Sequence, residues 1–393
     1  MNLYNTKTRA MQVFEPLKMG QVSLYVCGIT PYDTTHLGHA FTYTAFDVLS
    51  RYLSYIGNKV SYTQNVTDID DDILRKATDT GVDWRELGTR WTDKFVADMK
   101  TLNIQPPTHY VVATDFIKEM QEIITMLIEK EVAYAREGNV YFDTSKDPDY
   151  GELSHYDVHQ MALISRERGG NPDDPLKRNK IDFLLWQRSV EGEPSWESPW
   201  GAGRPGWHIE CTAMIKNTLG AQIDIHGGGR DLIFPHHESE IAQAEMSFSP
   251  KPHVGVWMHT GMLMYEGEKM SKSLKNLVMV SDLLKKYTAN EIRWMFLSHR
   301  YREIWEYMPN DLDHVRRTLT FVTKTVGKAT KDTSGDLDVQ LMEDFTRAMD
   351  DDLDTESVLK LVHTAAIQIG EGNDKGDMMR NAVREIMRVL GFV

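Results

Sequence analysis

At 393 residues the chain is long enough for two or three domains with a substantial core. Its 44 Lys and Arg against 58 Asp and Glu give a net charge of −14, which weakens any case for broad nucleic-acid binding while leaving room for a local basic patch. No run approaches the ~18 apolar residues of a membrane span, no targeting pattern opens the chain, and Cys27 and Cys211 are the only cysteines, so a soluble, cytoplasmic protein without a disulfide is expected.

In chain order, residues 23–27 read as a buried strand and residues 28–32 as the loop that follows it. Helical spacing then runs from Gly38 through Leu53, with Ala45, Val48, Leu49 and Leu53 on one face. Strand, loop and helix, with phosphate-friendly groups where the helix begins, is the local plan of a nucleotide-binding α/β fold. Residues 59–66 supply a second strand, helices are predicted over 84–102 and 115–130, and residues 138–142 form a short strand after a turn. The polar stretch from about residue 147 to 180, rich in Gly, Pro and Asp, reads as part of an insertion splitting the nucleotide fold. Residues 181–186 are expected to resume the core, 222–229 to be strand then loop, and 253–259 another strand. Beyond them, helical spacing recurs over 290–298, 311–328, 340–349, 356–369 and 376–390. The expected division is a split catalytic domain over 1–120 and 181–265, a connective insertion over 121–180, a loop-and-stem region over 266–310, and a helical bundle over 311–393.

Two short motifs carry chemistry. His36-Leu37-Gly38-His39 places two imidazoles and a glycine where they can lie against a triphosphate, and Lys269-Met270-Ser271-Lys272-Ser273 brings two ammonium groups from far downstream. Attack on the α-phosphorus of ATP needs such preorganised donors and cations around the charge that spreads over the phosphate oxygens. Either motif alone is also compatible with a surface histidine pair or an ordinary basic loop.

Between them lies a set of metal-type ligands. A soft cation such as zinc could take Cys27, Cys211, one histidine of the His236-His237 pair and Glu240. His236 and Glu240 are four apart and share a face if the segment is helical. With no Cys-x-x-Cys in the chain, spacing alone also admits two buried structural cysteines.

Longer motifs surround these residues: Tyr25-Val26-Cys27-Gly28-Ile29-Thr30, Asn65-Val66-Thr67-Asp68-Ile69-Asp70-Asp71, Gly192-Glu193-Pro194-Ser195-Trp196, Gly203-Arg204-Pro205-Gly206-Trp207-His208-Ile209-Glu210-Cys211 and Asp224-Ile225-His226-Gly227-Gly228-Gly229. Together they resemble the cysteine-activating branch of the class I aminoacyl-tRNA synthetases, over nearly all of the chain. The resemblance implies an α/β fold: a Rossmann-like (HUP-type) parallel-sheet catalytic domain split by an insertion and followed by a C-terminal α-helical bundle. It implies one zinc per chain on Cys27, Cys211, His236 and Glu240, with the substrate thiolate bound directly to the metal. It further implies a cysteine pocket of Cys27, Thr30, Thr67, Trp207 and Asp231. ATP would be held by Thr35, His36, Gly38, His39, Lys269, Met270, Ser271, Lys272 and Ser273, with Mg2+ bridging its phosphates and His36, His39, Lys269 and Lys272 as the catalytic groups. Taken without the resemblance, Trp207 reads as core and Thr67 as a helix cap. A thiolate is a strong zinc ligand and a serine hydroxyl is not, so one metal contact can separate the two amino acids without editing.

Two branches of the family share this activation half and differ in the acceptor of the cysteinyl group. One is cysteinyl-tRNA synthetase, acting on tRNA-Cys; the other is the ligase of mycothiol biosynthesis, acting on the amine of a glucosaminyl-inositol. The chain stops about where an anticodon-binding domain would begin, and its net acidity points the same way, because phosphate contacts call for clustered Lys and Arg. Residues 30–40, Phe41, 83–88, 112–115 and 167–175 also resemble the ligase, whereas His226 and Glu240 are synthetase-like and Arg230 fits neither branch well. The expected activity is therefore an ATP-dependent, AMP-forming cysteine ligase, monomeric, with a small aminosugar acceptor. A synthetase acting on tRNA-Cys is the alternative. A non-catalytic binding module is a third, opposed by the presence of both phosphate-handling motifs.

Overall fold

The computed structural model describes residues 1–31, 35–270, 274, 276–327, 335–372 and 376–393. An N-terminal hairpin, β1 (Asn2–Asn5) with β2 (Ala10–Val13), precedes β3 (Gln21–Ile29), the central strand of the main sheet. Val22, Leu24, Tyr25 and Val26 of β3 are all buried, as expected of a parallel strand covered on both faces. Helix α1 (Leu37–Tyr55) then packs its Ala40, Phe41, Val48, Leu49 and Leu53 into the core, and β4 (Lys59–Val66) returns parallel to β3. Helices α2 (Asp71–Thr80) and α3 (Trp84–Thr101) lead to β5 (His109–Val112), parallel to β4.

The next stretch builds a separate antiparallel sheet. Helix α4 (Ile117–Glu129) is followed by β6 (Ala133–Arg136) and β7 (Asn139–Phe142), then α5 (Val158–Glu167), β8 (Phe183–Arg188) and β9 (Gly203–Pro205), paired in the order β6-β7-β8-β9. Helix α6 (Trp207–Thr218), β10 (Ile223–Gly229), α7 (Glu238–Ser247) and β11 (Val254–Thr260) complete the main sheet, whose order is β11-β10-β3-β4-β5 with every pair parallel. The chain continues through β12 (Leu263–Tyr265), β13 (Glu268–Lys269), α8 (Val280–Leu283), α9 (Ala289–Leu297) and β14 (Trp305–Glu306) into four helices, α10 (Asp311–Val326), α11 (Val339–Met349), α12 (Thr355–Gly370) and α13 (Gly376–Val389). One hydrophobic core joins β3, α1, α9 and these last helices; a second joins α4, α6 and the antiparallel sheet to the strands of the main sheet.

Most predicted helices and the second strand fall within a residue or two of the observed ones, although residue 328 lies outside the described residues. Three departures have physical reasons. Strand β3 does not stop at Cys27 but runs through an irregularity to Ile29, because Gly28 donates to Asn65 Oδ1 at 2.7 Å and lies so close to β4 that a Cβ there would meet Asn65 O at 1.5 Å. The apolar run at 181–186 joins the core as expected, with Phe183, Leu185 and Trp186 buried, but not through the parallel sheet. It forms β8 of the antiparallel sheet, where Phe183 stacks on Phe142 at 4.9 Å; a short apolar run carries no information about which sheet it joins. The glycines expected to form a loop after residue 226 stay in β10, since Gly227 lies under the ring of Phe46 and Gly228 under that of His237, where a Cβ would come within 2.2 and 2.9 Å.

A buried ion pair ties the layers together. Arg293 of α9, 1% exposed, pairs with Asp47 of α1 and donates to the carbonyls of Leu390 and Leu102 at 2.5 and 3.2 Å. Asp47 also accepts from Arg51 and from the Gln105 amide, both at 2.9 Å. Gly391, at φ +79°, lets the end of the chain close over the guanidinium. Removing one partner leaves the other buried and uncompensated, so Asp47→Ala should cost about 3–5 kcal/mol, read as a lower midpoint in chemical denaturation.

Candidate active site

Strand β3 is where the order of the main sheet reverses: the chain adds β4 and β5 on one side of it and, after the insertion, β10 and β11 on the other. In open parallel sheets ligands bind in the crevice that such a reversal leaves at the carboxyl ends of the strands. Cys27 lies near the end of β3, His226 and the three glycines near the end of β10, His259 near the end of β11, and Thr67 just beyond β4.

The metal-type residues meet there. Helix α6 begins at Trp207, so Cys211 lies one turn on along the same face and points at β3, its Sγ 3.8 Å from that of Cys27. A tight turn over Ile233–His237 ahead of α7 carries His236, whose Nε2 is 3.1 Å from Oε1 of Glu240. Glu240 Oε1 is 3.8 Å from Cys27 Sγ, and one ligand atom from each of Cys27, Cys211, His236 and Glu240 lies within 4.8 Å of all the others. All four are buried. The expected grouping of these residues is therefore present, with His236 just outside the helix that holds Glu240 rather than on it.

A second set, Cys27, His226, His237 and Glu240, is equally close. His237 Nε2 is 3.2 Å from Cys27 Sγ, and His226 shares a hydrogen bond with Glu240 Oε2 at 3.0 Å. Further histidines orient these rings: His236 Nδ1 meets His208 Nδ1 at 3.0 Å, and His237 Nδ1 meets His259 Nε2 at 2.7 Å, which in turn contacts Thr6 at 2.8 Å. Trp207 stacks on His236 at 4.4 Å and Trp257 on His226 at 4.5 Å. Trp207 is thus a wall of the site rather than plain core. The sequence offered one histidine of the His236-His237 pair, but gave no sign that both would converge with His208 and His259, because their spacing follows no ligand motif and only the folded sheet edge brings them together.

Burial drives every one of these groups toward its neutral form. It pushes the Cys27 and Cys211 thiols and the Glu240 carboxyl up, with Cys211 adding to the effect on Cys27, and pushes His236 and His237 well down and His226, His208 and His259 to about 3. Two thiolates and a carboxylate are stable so close together only around a cation, and a set of two S, one N and one O donor suits a thiophilic divalent ion. The residues present fit such an ion.

The phosphate-type residues stand at the start of α1. His36 caps the helix, its Nδ1 accepting from Gly38 N at 3.1 Å, and its ring stacks on that of His39 at 3.8 Å. A Cβ on Gly38 would meet the His36 ring at 2.9 Å, so the glycine is what lets the ring fold back. Thr35 is buried, and its hydroxyl has no hydrogen-bond partner among the described residues. The segment after the second motif is pinned to this corner: Leu37 N donates to Val278 O at 2.9 Å and Val280 N to Thr35 O at 3.0 Å. Lys269 is exposed on β13, paired with Met264, and Met270 is buried. Ser271, Lys272 and Ser273 lie outside the described residues.

Of the remaining residues expected in a cysteine pocket, Thr30 and Thr67 follow the paired ends of β3 and β4, where Ile29 lies opposite Val66. Thr67 does not cap α2, a role taken by Asp70, and instead accepts from Asn65 Nδ2 at 3.3 Å. Asp231 lies in the turn after β10, and its Oδ2 is 3.5 Å from Nη1 of Arg168, which the insertion supplies.

A parallel sheet with its metal-type groups at the reversal point, beside a histidine-capped helix and the short strand that carries Lys269, defines a class I synthetase-type catalytic fold. The solved Mycobacterium tuberculosis methionyl-tRNA synthetase in complex with methionyl-adenylate shares it, with a TM-score of 0.66 at 16% identity over 95% of this chain and 90% of that one. The chain belongs to the family of tRNA synthetases class I (C) catalytic domains, which matches residues 13–317. It is 42% identical, over 99% of its length and 95% of the relative, to the L-cysteine:1D-myo-inositol 2-amino-2-deoxy-alpha-D-glucopyranoside ligase of Thermobispora bispora. It is 41% identical, over its full length and 85% of the relative, to the cysteine–tRNA ligase of Legionella pneumophila. No helix among the described residues is long and apolar enough to cross a membrane.

Because burial keeps both thiols protonated near neutral pH, binding an ion must expel their protons. Affinity for Zn2+, measured by competition with a chelating dye, should therefore rise on the order of tenfold or more per pH unit between about pH 6 and 8. Cys211→Ser should strip most of the bound zinc, read by elemental analysis; full retention would remove Cys211 from the ligand set.

Proposed function

We propose that the protein activates L-cysteine with ATP, forming cysteinyl-adenylate, and passes the cysteinyl group to the amine of a small aminosugar of the glucosaminyl-inositol type. The observation that carries the first half is the buried cluster of Cys27, Cys211, His236 and Glu240 beside the histidine-capped start of α1. When bound, zinc on these four residues supplies a coordination position that takes a thiolate and refuses a hydroxyl, and Mg2+ arriving with ATP screens the phosphates.

The chain's own residues do the rest. Trp207, stacked on His236, closes the pocket around the side chain, and Thr30, Thr67 and Asp231 offer oxygens to the substrate ammonium. A carboxylate oxygen of cysteine attacks the α-phosphorus; a P–O bond forms, the bond to the β,γ-phosphates breaks, and pyrophosphate leaves. His36 and His39, with Lys269 and Lys272, donate to phosphate oxygens where charge accumulates, while Thr35, Gly38, Met270, Ser271 and Ser273 shape the ATP site. In the second half the acceptor amine attacks the carbonyl carbon, the C–N bond forms, the C–O bond to AMP breaks, and the amine gives up a proton.

Identity of 42% and 41% to relatives with different acceptors does not separate them. The aminosugar is favoured by residues 167–175, which resemble the ligase branch and are the part of the insertion that reaches the amino-acid pocket, through Arg168 and Asp231. A second reading, transfer to tRNA-Cys, is favoured by the His226–Glu240 contact, whose two residues are synthetase-like.

Zinc-loaded protein should show cysteine-dependent exchange between ATP and pyrophosphate, and its absence would favour a binding module. His39→Ala should lower the exchange rate by about 100- to 1,000-fold, as expected when a donor to developing charge is lost. Offered labelled cysteine with either acceptor, the protein should modify the glucosaminyl-inositol; efficient charging of tRNA instead would sink the aminosugar assignment.

A further inference from the structure

The Arg168–Asp231 contact joins a segment that the catalytic steps do not use to a residue of the amino-acid pocket, and the insertion is built to hold it there. Glu238, on the helix that carries Glu240, accepts from the backbone amides of Gly151, Leu153 and Ser154 at 3.0, 3.2 and 2.7 Å, so the base of the insertion is fastened to the metal-bearing helix. Helix α5 starts with a reciprocal cap: Gln160 N donates to Asp157 Oδ1 at 2.8 Å while Asp157 N donates to Gln160 Oε1 at 3.0 Å. At its other end Arg168 N donates to Ile164 O at 3.1 Å, and Gly170 N to Ser165 O at 2.8 Å.

The turn that follows admits little variation. Gly169 sits at φ +86°, and a Cβ on Gly170 would come within 2.3 Å of Ser165 Oγ. Arg166 and Asp173 meet across it in an exposed ion pair at 2.5 Å, which adds little to its stability. One guanidinium is thus presented beside Asp231 from a helix end whose segment is anchored at its base by Glu238. Its side chain is 32% exposed and that of Asp231 is 37% exposed, and the 3.5 Å contact engages a single nitrogen. An ion pair this open is weak and exchangeable. Arginine has further donors in a planar fork, suited to paired oxygen acceptors.

We propose that Arg168 determines acceptor specificity: it is the counter-ion of Asp231 while the pocket is empty, yields that carboxylate to the α-ammonium of the arriving amino acid, and then turns its fork to the hydroxyl oxygens of the aminosugar. This rests on the reading above, in which Asp231 receives the ammonium. Two consequences follow from the handover. The acceptor meets an available guanidinium only after the amino acid is seated, so binding is ordered. Moreover, Arg168 contributes to acceptor binding and hardly to activation.

The test uses zinc-loaded, full-length protein and two assays: cysteine-dependent ATP–pyrophosphate exchange, and AMP release with glucosaminyl-inositol as acceptor. Arg168→Met should leave the KM for cysteine in exchange within about threefold of wild type, and raise the KM for the acceptor at least about tenfold with little change in kcat. Arg168→Lys, which keeps the charge without the fork, should recover part of that loss. An unmoved acceptor KM overturns the inference, as does a rise in the cysteine KM equal to that of the acceptor, which would mean that Arg168 only holds the pocket together. Wild-type protein that exchanges but transfers cysteine to tRNA alone overturns both the aminosugar assignment and this inference. No exchange by wild type refutes the activation reading and, with it, the handover.

Discussion

Two thiols, a carboxylate and an imidazole brought within 4.8 Å of one another, out of contact with water, form a stable group only when protonated or when wrapped around a cation. Much of the local structure at the end of the central strand can be understood from that constraint. The candidate ligand atoms come from four places: the end of β3, the second turn of α6, the turn leading into α7, and the first turn of α7. None could be placed by its own element. They converge because parallel strands with crossover helices deliver their carboxyl ends to one edge, and because the reversal of strand order opens a crevice at that edge. The histidines behind the first ring of ligands then fix orientation. Each ring nitrogen that faces away from the cluster in His236 and His237 has an imidazole partner, which settles how the ring presents its other nitrogen.

The same edge holds the phosphate-type groups, and short backbone links tie the two motifs' segments together there. Leu37 and Val280, bonded to Val278 and Thr35, stitch the start of α1 to the segment beyond the basic motif. The distant sequence positions of the two motifs are therefore neighbours by construction. On the far side, the N-terminal strand performs a comparable function. Its Asn2 exchanges backbone hydrogen bonds with Asp350 and Asp352 of the helical region, its Thr6 amide bonds Trp257 O, and the Thr6 hydroxyl reaches His259. A single short strand thus spans from the helices to the ring of histidines.

What could be read from the chain, and what could not, follows from the range over which the physics acts. Strands and helices with clear periodicity, such as residues 59–66 and the C-terminal helices, were legible because their pattern is local. Strand β8 was legible as core but not as a member of one sheet or the other, because an apolar run of six residues fits either, and it pairs with β7, where Phe183 stacks on Phe142. Helix α5 carried a legible signal that was passed over, Asp157 followed three residues later by Gln160. Of the site, the four metal-type residues and both phosphate-type motifs were named from sequence, and His237 as the alternative within the His236-His237 pair, whereas the supporting roles of His208 and His259 were not, since nothing local marks a histidine that will act through another histidine. The Arg168–Asp231 contact spans 63 positions and two sheets, beyond any spacing rule.

That contact also bears on how two activities can coexist at nearly equal similarity. The residues proposed to hold a metal and to shape an ATP site would answer to chemistry common to both acceptors, so they would not carry the difference between them. A change of acceptor must be written where the second substrate approaches, outside the buried cluster yet attached to it. The insertion meets both conditions: its base is clamped by Glu238 to the helix that bears Glu240, and its far end places a guanidinium over the carboxylate of the pocket. Rigid attachment matters here, because a loosely tethered arginine would lose in conformational entropy what it gained from the acceptor. If selectivity for the amino acid is buried and selectivity for the acceptor lies with Arg168, as proposed, the second can diverge without unbalancing the first.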